Sequence, residues 1–329
     1  MTTFSEPTSG ALTWSTEQPS PDSHDLDICS SAEIVDALLA ADADVAGAVA
    51  AVADDITAAV DLVVAALAAG GVVHYVGAGT SGRMGVLDAV ELWPTFRVGT
   101  DQVRAHLAGG MGAMALAVEG AEDDADAGAE ILADAGPHDM VIGLAASGRT
   151  PFVGGALREA KRRGLAGVLI SVNPTAPLAE LASVAILPNT GHEVITGSTR
   201  LKAATAQKMV INAISTAAMV RLGKTFSNLM IDMVPTNAKL RARSVRMLQL
   251  GAGVDDEAAA QALDGADGDV RVALVALLAG VDAAAARRAI DSHPPDPYRD
   301  GDPSGLRSAT EAARGEAPRH DASRREGAR

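Results

Sequence analysis

Two short stretches of this chain combine small residues with hydroxyls in a way that could hold an anion. The first is Val76-Gly77-Ala78-Gly79-Thr80-Ser81-Gly82-Arg83, between a predicted strand and a predicted helix. A turn of this kind directs backbone N–H groups and a helix N-terminus at a negative group. Its glycines also fit the G-x-G-x-x-G dinucleotide fingerprint, with Asp101 about twenty residues on, so a nicotinamide or flavin site is one reading. A purely structural glycine turn is another.

The second stretch is Ala145-Ala146-Ser147-Gly148-Arg149-Thr150-Pro151, after the apolar run Met140 to Leu144, with Pro151 well placed for a first helical turn. Alone, Ser147 and Thr150 could simply cap that helix. Two such turns in one sheet suit a phosphate monoester on a small polar ligand, because hydroxyls and amides can share several oxygens.

The candidate proton carriers are Glu91, beside Leu92, Trp93 and Pro94, and Glu122, inside the acidic stretch Glu119 to Asp126. Apolar neighbours suit an acid that keeps its proton, whereas an acidic run is ordinarily a solvated face. Arg83 and Arg149 are placed either to pair with phosphate or to form structural ion pairs. The seven histidines, among them His74, His106, His138 and His192, show no ligand spacing, so no metal is expected. Met209, Met219, Met230 and Met233 fit core or dimer contacts.

These residues need a scaffold, and the hydrophobic pattern supplies one. Val72 to Val76, Met140 to Leu144, Gly167 to Val172 and Val184 to Leu187 read as buried strands. Helical segments lie between them at Met84 to Leu92, Met111 to Gly120 and Phe152 to Arg163, the rhythm of a doubly wound parallel α/β sheet flanked by helices. Upstream, Ser30 with Glu33 forms a capping box, and Val45 through Leu67 carries the stripe of one long amphipathic helix. Helices at Thr199 to Leu222 and Asn237 to about Leu250 close this domain. The expected organisation is an extended arm over 1–29, the α/β domain over 30–250, a small helical domain over 251–293 and a disordered tail over 294–329.

Composition narrows the function. The 329 residues are 48% hydrophobic but only 2% aromatic, and 27 Lys plus Arg face 42 Asp plus Glu for a net charge of −15. That balance disfavours nucleic acid. One cysteine, Cys29, fits a reducing compartment, and the N-terminus has no secretory pattern, so the expected location is cytoplasmic. The uncharged run from Leu62 to Gly82 reads as helix, turn, strand and loop rather than a membrane span.

Longer motifs go further. VGAGTSGRMGVLDAVELWPTF (Val76 to Phe96), AVEGAEDDADAG (Ala117 to Gly128), GLAASGRTPFV (Gly143 to Val153), EVITGSTRLKAATAQKMVINAIST (Glu193 to Thr216) and NLMIDMVPTNAKL (Asn228 to Leu240) resemble the N-acetylmuramic acid 6-phosphate etherases, in order from about residue 30 to 292. The resemblance implies a sugar isomerase (SIS) domain, a small ubiquitin-associated-like helical domain and a cytoplasmic homodimer. It implies cleavage of the lactyl ether to N-acetylglucosamine 6-phosphate and D-lactate. It also implies Glu91 as the acid on the departing oxygen and Glu122 as the base at C2, an assignment that could be exchanged. Substrate contacts are expected from Gly79, Thr80, Ser81, Ser147, Gly148, Arg149, Thr150 and Ser198. No cofactor is required by such a reaction. One departure stands in the arm: Thr16-Glu17 is followed by Gln18-Pro19-Ser20-Pro21, where family members carry Arg-Asn. Three other readings share parts of the pattern: a phosphosugar isomerase, a non-catalytic phosphosugar sensor like the glucokinase regulatory protein, and a dinucleotide-dependent oxidoreductase.

Overall fold

The computed structural model describes residues 14–233, 235 and 237–316. The basic end of the expected tail and the first thirteen residues lie outside them. The chain divides into two compact units, 1–93 with 98–218 and 94–97 with 219–329.

The first unit is built on five parallel strands in the order β2-β1-β3-β4-β5: β1 Val73–Gly77, β2 Val103–Leu107, β3 Met140–Leu144, β4 Ala166–Ile170 and β5 Val184–Ile186. β1 and β3 are buried along their whole length, as continuous apolar strands of a covered parallel sheet must be. Before the sheet come α1 (Ser31–Ala43), α2 (Val45–Ala50) and α3 (Ala53–Ala68). The Ser30–Glu33 capping box is present, but the long amphipathic stripe is split in two around Ala51 and Val52.

α4 (Gly79–Phe96) follows β1, α5 (Ala125–Glu130) precedes β3, α6 (Pro151–Arg163) follows β3, and α7 (Lys202–Arg221) follows β5. The region 62–82 is helix, turn, strand and loop as its sequence indicates, and no described helix is long and apolar enough to cross a membrane. α6 presses on one face of the sheet, its Val153 and Leu157 packed with Val76, Val141 and Leu169. Gly143 permits that approach, since a Cβ there would meet Val153 at 2.6 Å. α4 lies on the other face, with Gly85 against Tyr75.

Two sequence expectations differ here. β2 carries Arg104 and His106 on one face and forms the sheet edge, so its pattern is too polar to read as a strand. Residues 111–120 contain one 3-10 turn, Met111–Met114, in place of the expected helix.

The second unit holds the short antiparallel pair β6 (Thr225–Phe226) and β7 (Leu229–Met230), then α8 (Ala238–Ala252), α9 (Asp256–Gly265), α10 (Val270–Ala279), α11 (Ala283–Ser292) and α12 (Leu306–Glu316). Val270, Val272, Leu274, Leu263 and Leu248 share one core. The division therefore falls near residue 218, not 250, because α8 packs its Val245 and Leu248 with α9 and α10. The expected disorder from 294 also fails through α12: Leu306, Ala309 and Ala313 are buried. Buried Asp302 secures that helix start, accepting from the Ser308 amide at 2.9 Å and the Ser308 hydroxyl at 2.8 Å.

Candidate active site

The first turn leaves the carboxyl end of β1 and enters α4 at Gly79, whose φ is +53°. Gly77 and Gly82 are required by contact. A Cβ on Gly77 would lie 2.7 Å from the Gly82 Cα, and one on Gly82 would lie 2.5 Å from both the Gly77 carbonyl oxygen and Leu107. The fingerprint spacing thus lets the start of the helix lie on the strand that feeds it. Thr80 is half-buried, and Ser81 is buried with its hydroxyl donating to Gln207 Oε1 on α7 at 2.8 Å.

Asp101 disposes of the dinucleotide reading. Val73 pairs with Val103 in register, so Asp101 precedes β2 at the amino edge of the sheet, opposite the glycine turn. A ribose-binding acid belongs at the carboxyl edge.

The second turn leaves β3 at Leu144, in register with Gly77, so both turns open on the same sheet edge. Its carbonyls face inward: Ala146 accepts from the Ser171 hydroxyl at 2.9 Å, and Ser147 from Asn173 Nδ2 at 2.8 Å. Gly148 has φ +66°, and a Cβ on it would meet the Ala176 Cβ at 2.3 Å. The Ser147 hydroxyl accepts from the Arg149 amide at 3.2 Å. Thr150 is the N-cap of α6, yet its side chain makes no capping bond. Simple helix capping therefore does not account for its hydroxyl.

Glu122 is brought to the first turn. It lines a cavity of about 220 Å³ with Gly79, Arg83, Ala113, Val118 and Glu119. Arg83 builds the wall, donating through Nε to the Met114 carbonyl at 3.2 Å and through Nη2 to the Ala113 carbonyl at 2.7 Å. Arg149 stacks over the Trp14 ring with 4.9 Å from its Cζ to the centroid. Glu91 is not in that cavity. It is exposed on α4, twelve residues beyond Gly79, about 18 Å along the helix axis at 1.5 Å per residue. Its sequence neighbours do not enclose it in one chain: Leu92 turns into the core while Trp93 is 55% exposed.

Ser198 is half-buried in the turn before α7. The first amides of that helix are taken by Glu193, which is fully buried and accepts from Lys202 N and Ala203 N, both at 3.0 Å. Burial pushes its carboxyl up, partly offset by those two amides. The arm packs alongside: Thr16 is fully buried and its carbonyl accepts from the Gly197 amide at 2.8 Å.

Parallel register also assembles what sequence spacing hides. His74 Nδ1 lies 3.0 Å from His106 Nε2, and His74 Nε2 lies 3.2 Å from Asp139 Oδ2. Burial lowers both imidazoles, His106 to about 4 with a further push from His74. Burial pushes the Asp139 carboxyl up, but the Val72 amide, His74 and the Gly136 amide outweigh it and hold it low. These groups form a hydrogen-bonded chain across β1 and β2, with His74 in the middle.

Comparison with known proteins decides the family. Residues 55–161 match the glucokinase regulatory protein N-terminal SIS domain, and 111–217 match the SIS domain. N-acetylmuramic acid 6-phosphate etherases from Thermobifida fusca and Symbiobacterium thermophilum are 50% and 52% identical, each over 80% of this chain and over 86% and 88% of theirs. That of Enterobacter sp. is 48% identical over 84% of this chain and 94% of its own. The chain belongs to the N-acetylmuramic acid 6-phosphate etherase family. It is an enzyme with a SIS-type α/β domain. Of the motifs quoted for the etherase resemblance, Val76 to Phe96 covers the first turn and α4, Gly143 to Val153 the second turn and the head of α6, and Glu193 to Thr216 the approach to α7 and most of that helix. Ala117 to Gly128 covers the segment leading into α5, and Asn228 to Leu240 lies in the second unit.

Proposed function

We propose that this etherase cleaves the D-lactyl ether of N-acetylmuramic acid 6-phosphate, giving N-acetylglucosamine 6-phosphate and D-lactate. The observation that carries the reading is Glu122 meeting Gly79 and Arg83 in one cavity beside the first turn, in a chain of this family. The phosphate is held by the turn amides at the head of α4 and by the hydroxyls of Thr80, Ser147 and Thr150. Gly148 lets the second backbone fold close, and Arg149 and Ser198 border the ligand. Ser81, whose hydroxyl is given to Gln207, contributes through its amide.

An unactivated ether does not leave at neutral pH. With the sugar ring open, the C1 aldehyde acidifies the proton on C2, and Glu122 removes it. The electron pair forms the C2–C3 double bond as the C3–O bond breaks, and Glu91 protonates the departing lactyl oxygen. Water then adds at C3 of the unsaturated aldehyde while a proton returns to C2, so the two carboxyl groups end as they began.

Glu91 of the same chain is too far along α4 to reach C3 while phosphate sits at the helix start. A two-fold partner supplies it. Leu87, Val90 and Trp93 on α4 are 46%, 58% and 55% exposed, and Met111 and Leu116 are 61% and 75% exposed nearby in sequence to the Arg83-tethered turn. Apolar surface of this extent marks an interface, and Glu91 lies on α4 between Val90 and Leu92. A cytoplasmic homodimer with no nucleic-acid or membrane partner completes the proposal.

The test is incubation with N-acetylmuramic acid 6-phosphate and assay of D-lactate. Lactate with N-acetylglucosamine 6-phosphate is the expected pair. Aldose–ketose exchange without lactate would make the protein an isomerase, and binding without turnover would make it a sensor.

A further inference from the structure

α4 carries a second carboxylate, one turn before Glu91, that faces inward. Asp88 is 4% exposed, and three donors converge on it: the Tyr75 hydroxyl at 3.1 Å, Asn212 Nδ2 at 2.6 Å and the Ser215 hydroxyl at 3.0 Å. No ion pair is formed by it among the described residues. Burial pushes this carboxyl up, with Asn212, Ser215 and Tyr75 pulling it back, and burial drives the Tyr75 phenol well up in turn. A leucine could fill such a position more cheaply, since a buried carboxylate needs every lone pair satisfied. The gain from the polar arrangement is direction: each hydrogen bond has a preferred angle, whereas apolar packing tolerates sliding.

The helix needs that direction where Glu91 stands. Pro94 interrupts α4 and offers no N–H to the Val90 carbonyl, so the turn containing Glu91 has lost a rung of its own ladder. Seven residues before Asp88, Ser81 is bonded to Gln207 of α7. Ser81 and Asp88 are two turns apart on one face of α4 and both grip α7. Together they fix the rotation and slide of α4.

We propose that Asp88 is a positioning residue for turnover: by bonding α4 to β1 and α7 immediately before the proline-weakened turn, it sets the angle at which Glu91 is presented to the sugar. The inference rests on Glu91 being the acid of the etherase reaction. Its test therefore runs Glu91→Gln beside every Asp88 variant.

Asp88→Asn replaces one of the two acceptor oxygens with an N–H donor among three donors and loosens the grip. It is expected to lower kcat by about 10- to 100-fold, the scale for a misplacement of about 1 Å, with KM within about two-fold. Adding Asn212→Asp exchanges donor and acceptor across the same pair and is expected to recover most of the lost kcat. Where Asp88→Asn fails to fold, Asn212→Ala and Ser215→Ala each remove one grip and are expected to lower kcat with KM unchanged. Unchanged kcat per folded subunit in these variants, or no recovery in the folded exchange variant, overturns the positioning role. A rise in KM with kcat intact overturns it too, by assigning Asp88 to substrate binding. Wild-type turnover in Glu91→Gln would overturn the acid assignment itself, a failure distinguishable from the others.

Discussion

The turn after β1 and the turn after β3 look alike in sequence, small residues and hydroxyls ahead of a helix, yet their side chains are spent differently. In the first, Gly77 and Gly82 are consumed by strand–helix contact and the Ser81 hydroxyl by Gln207. In the second, the carbonyls are tied to Ser171 and Asn173 beneath, and the Thr150 hydroxyl makes no capping bond. Under the proposed function the first turn therefore offers its backbone and Thr80 beside Glu122, and the second offers the hydroxyls of Ser147 and Thr150. A serine or threonine in a glycine turn is not by its presence a ligand.

Glu122→Gln gives the largest expected effect, because it removes the proposed base and spares both turns. Lactate release should fall by at least about 100-fold while phosphosugar binding measured by calorimetry persists. Thr150→Val comes next and separates the turns: losing the hydrogen bond proposed for its hydroxyl with a phosphate oxygen should raise KM by about 10-fold or more. Ser81→Ala should leave KM within about two-fold and instead lower the melting temperature, through an unpaired Gln207 costing about 1–3 kcal/mol. A KM rise in Ser81→Ala equal to that in Thr150→Val would erase the distinction.

The smallest effect lies away from both turns. His74 and His106 have folded pKa values below their unfolded ones, so the unfolded chain binds more protons in the acid range. For His106 the contribution to stability is lost as pH falls from about 6.5 toward 4 and is level above that window, and His74 acts in the same direction. His106→Gln should flatten that segment of a melting-temperature profile relative to wild type, and an unchanged slope would remove His106 from the account.

Much of this was legible in sequence because it is local. β3 reads directly from Met140 to Leu144, since a strand buried on both faces is a continuous apolar run. The glycine turn, the capping box at Ser30 and Pro151 at the head of α6 are also local signals. What escaped is set by partners distant in the chain. Asp88 meets Asn212 and Ser215, and Glu193 is identified only by the helix whose amides it holds. β2 was hidden because an edge strand tolerates Arg104 and His106, and the order of 302–316 because Asp302 gathers its donors from residues with no periodic pattern. Glu91 and Glu122 show the same limit from the other side: their motifs are plain in sequence, while the separation between them is a property of the helix that carries one and the cavity that holds the other.

That separation gives the most direct measurement. Glu91→Gln and Glu122→Gln chains, each expected to be inactive alone, are mixed under conditions shown to exchange subunits, and D-lactate release is followed. If the two carboxyl groups act on one sugar from two copies, mixed dimers hold one intact site each and the mixture recovers about a quarter of wild-type turnover. No recovery at any mixing ratio would contradict the account.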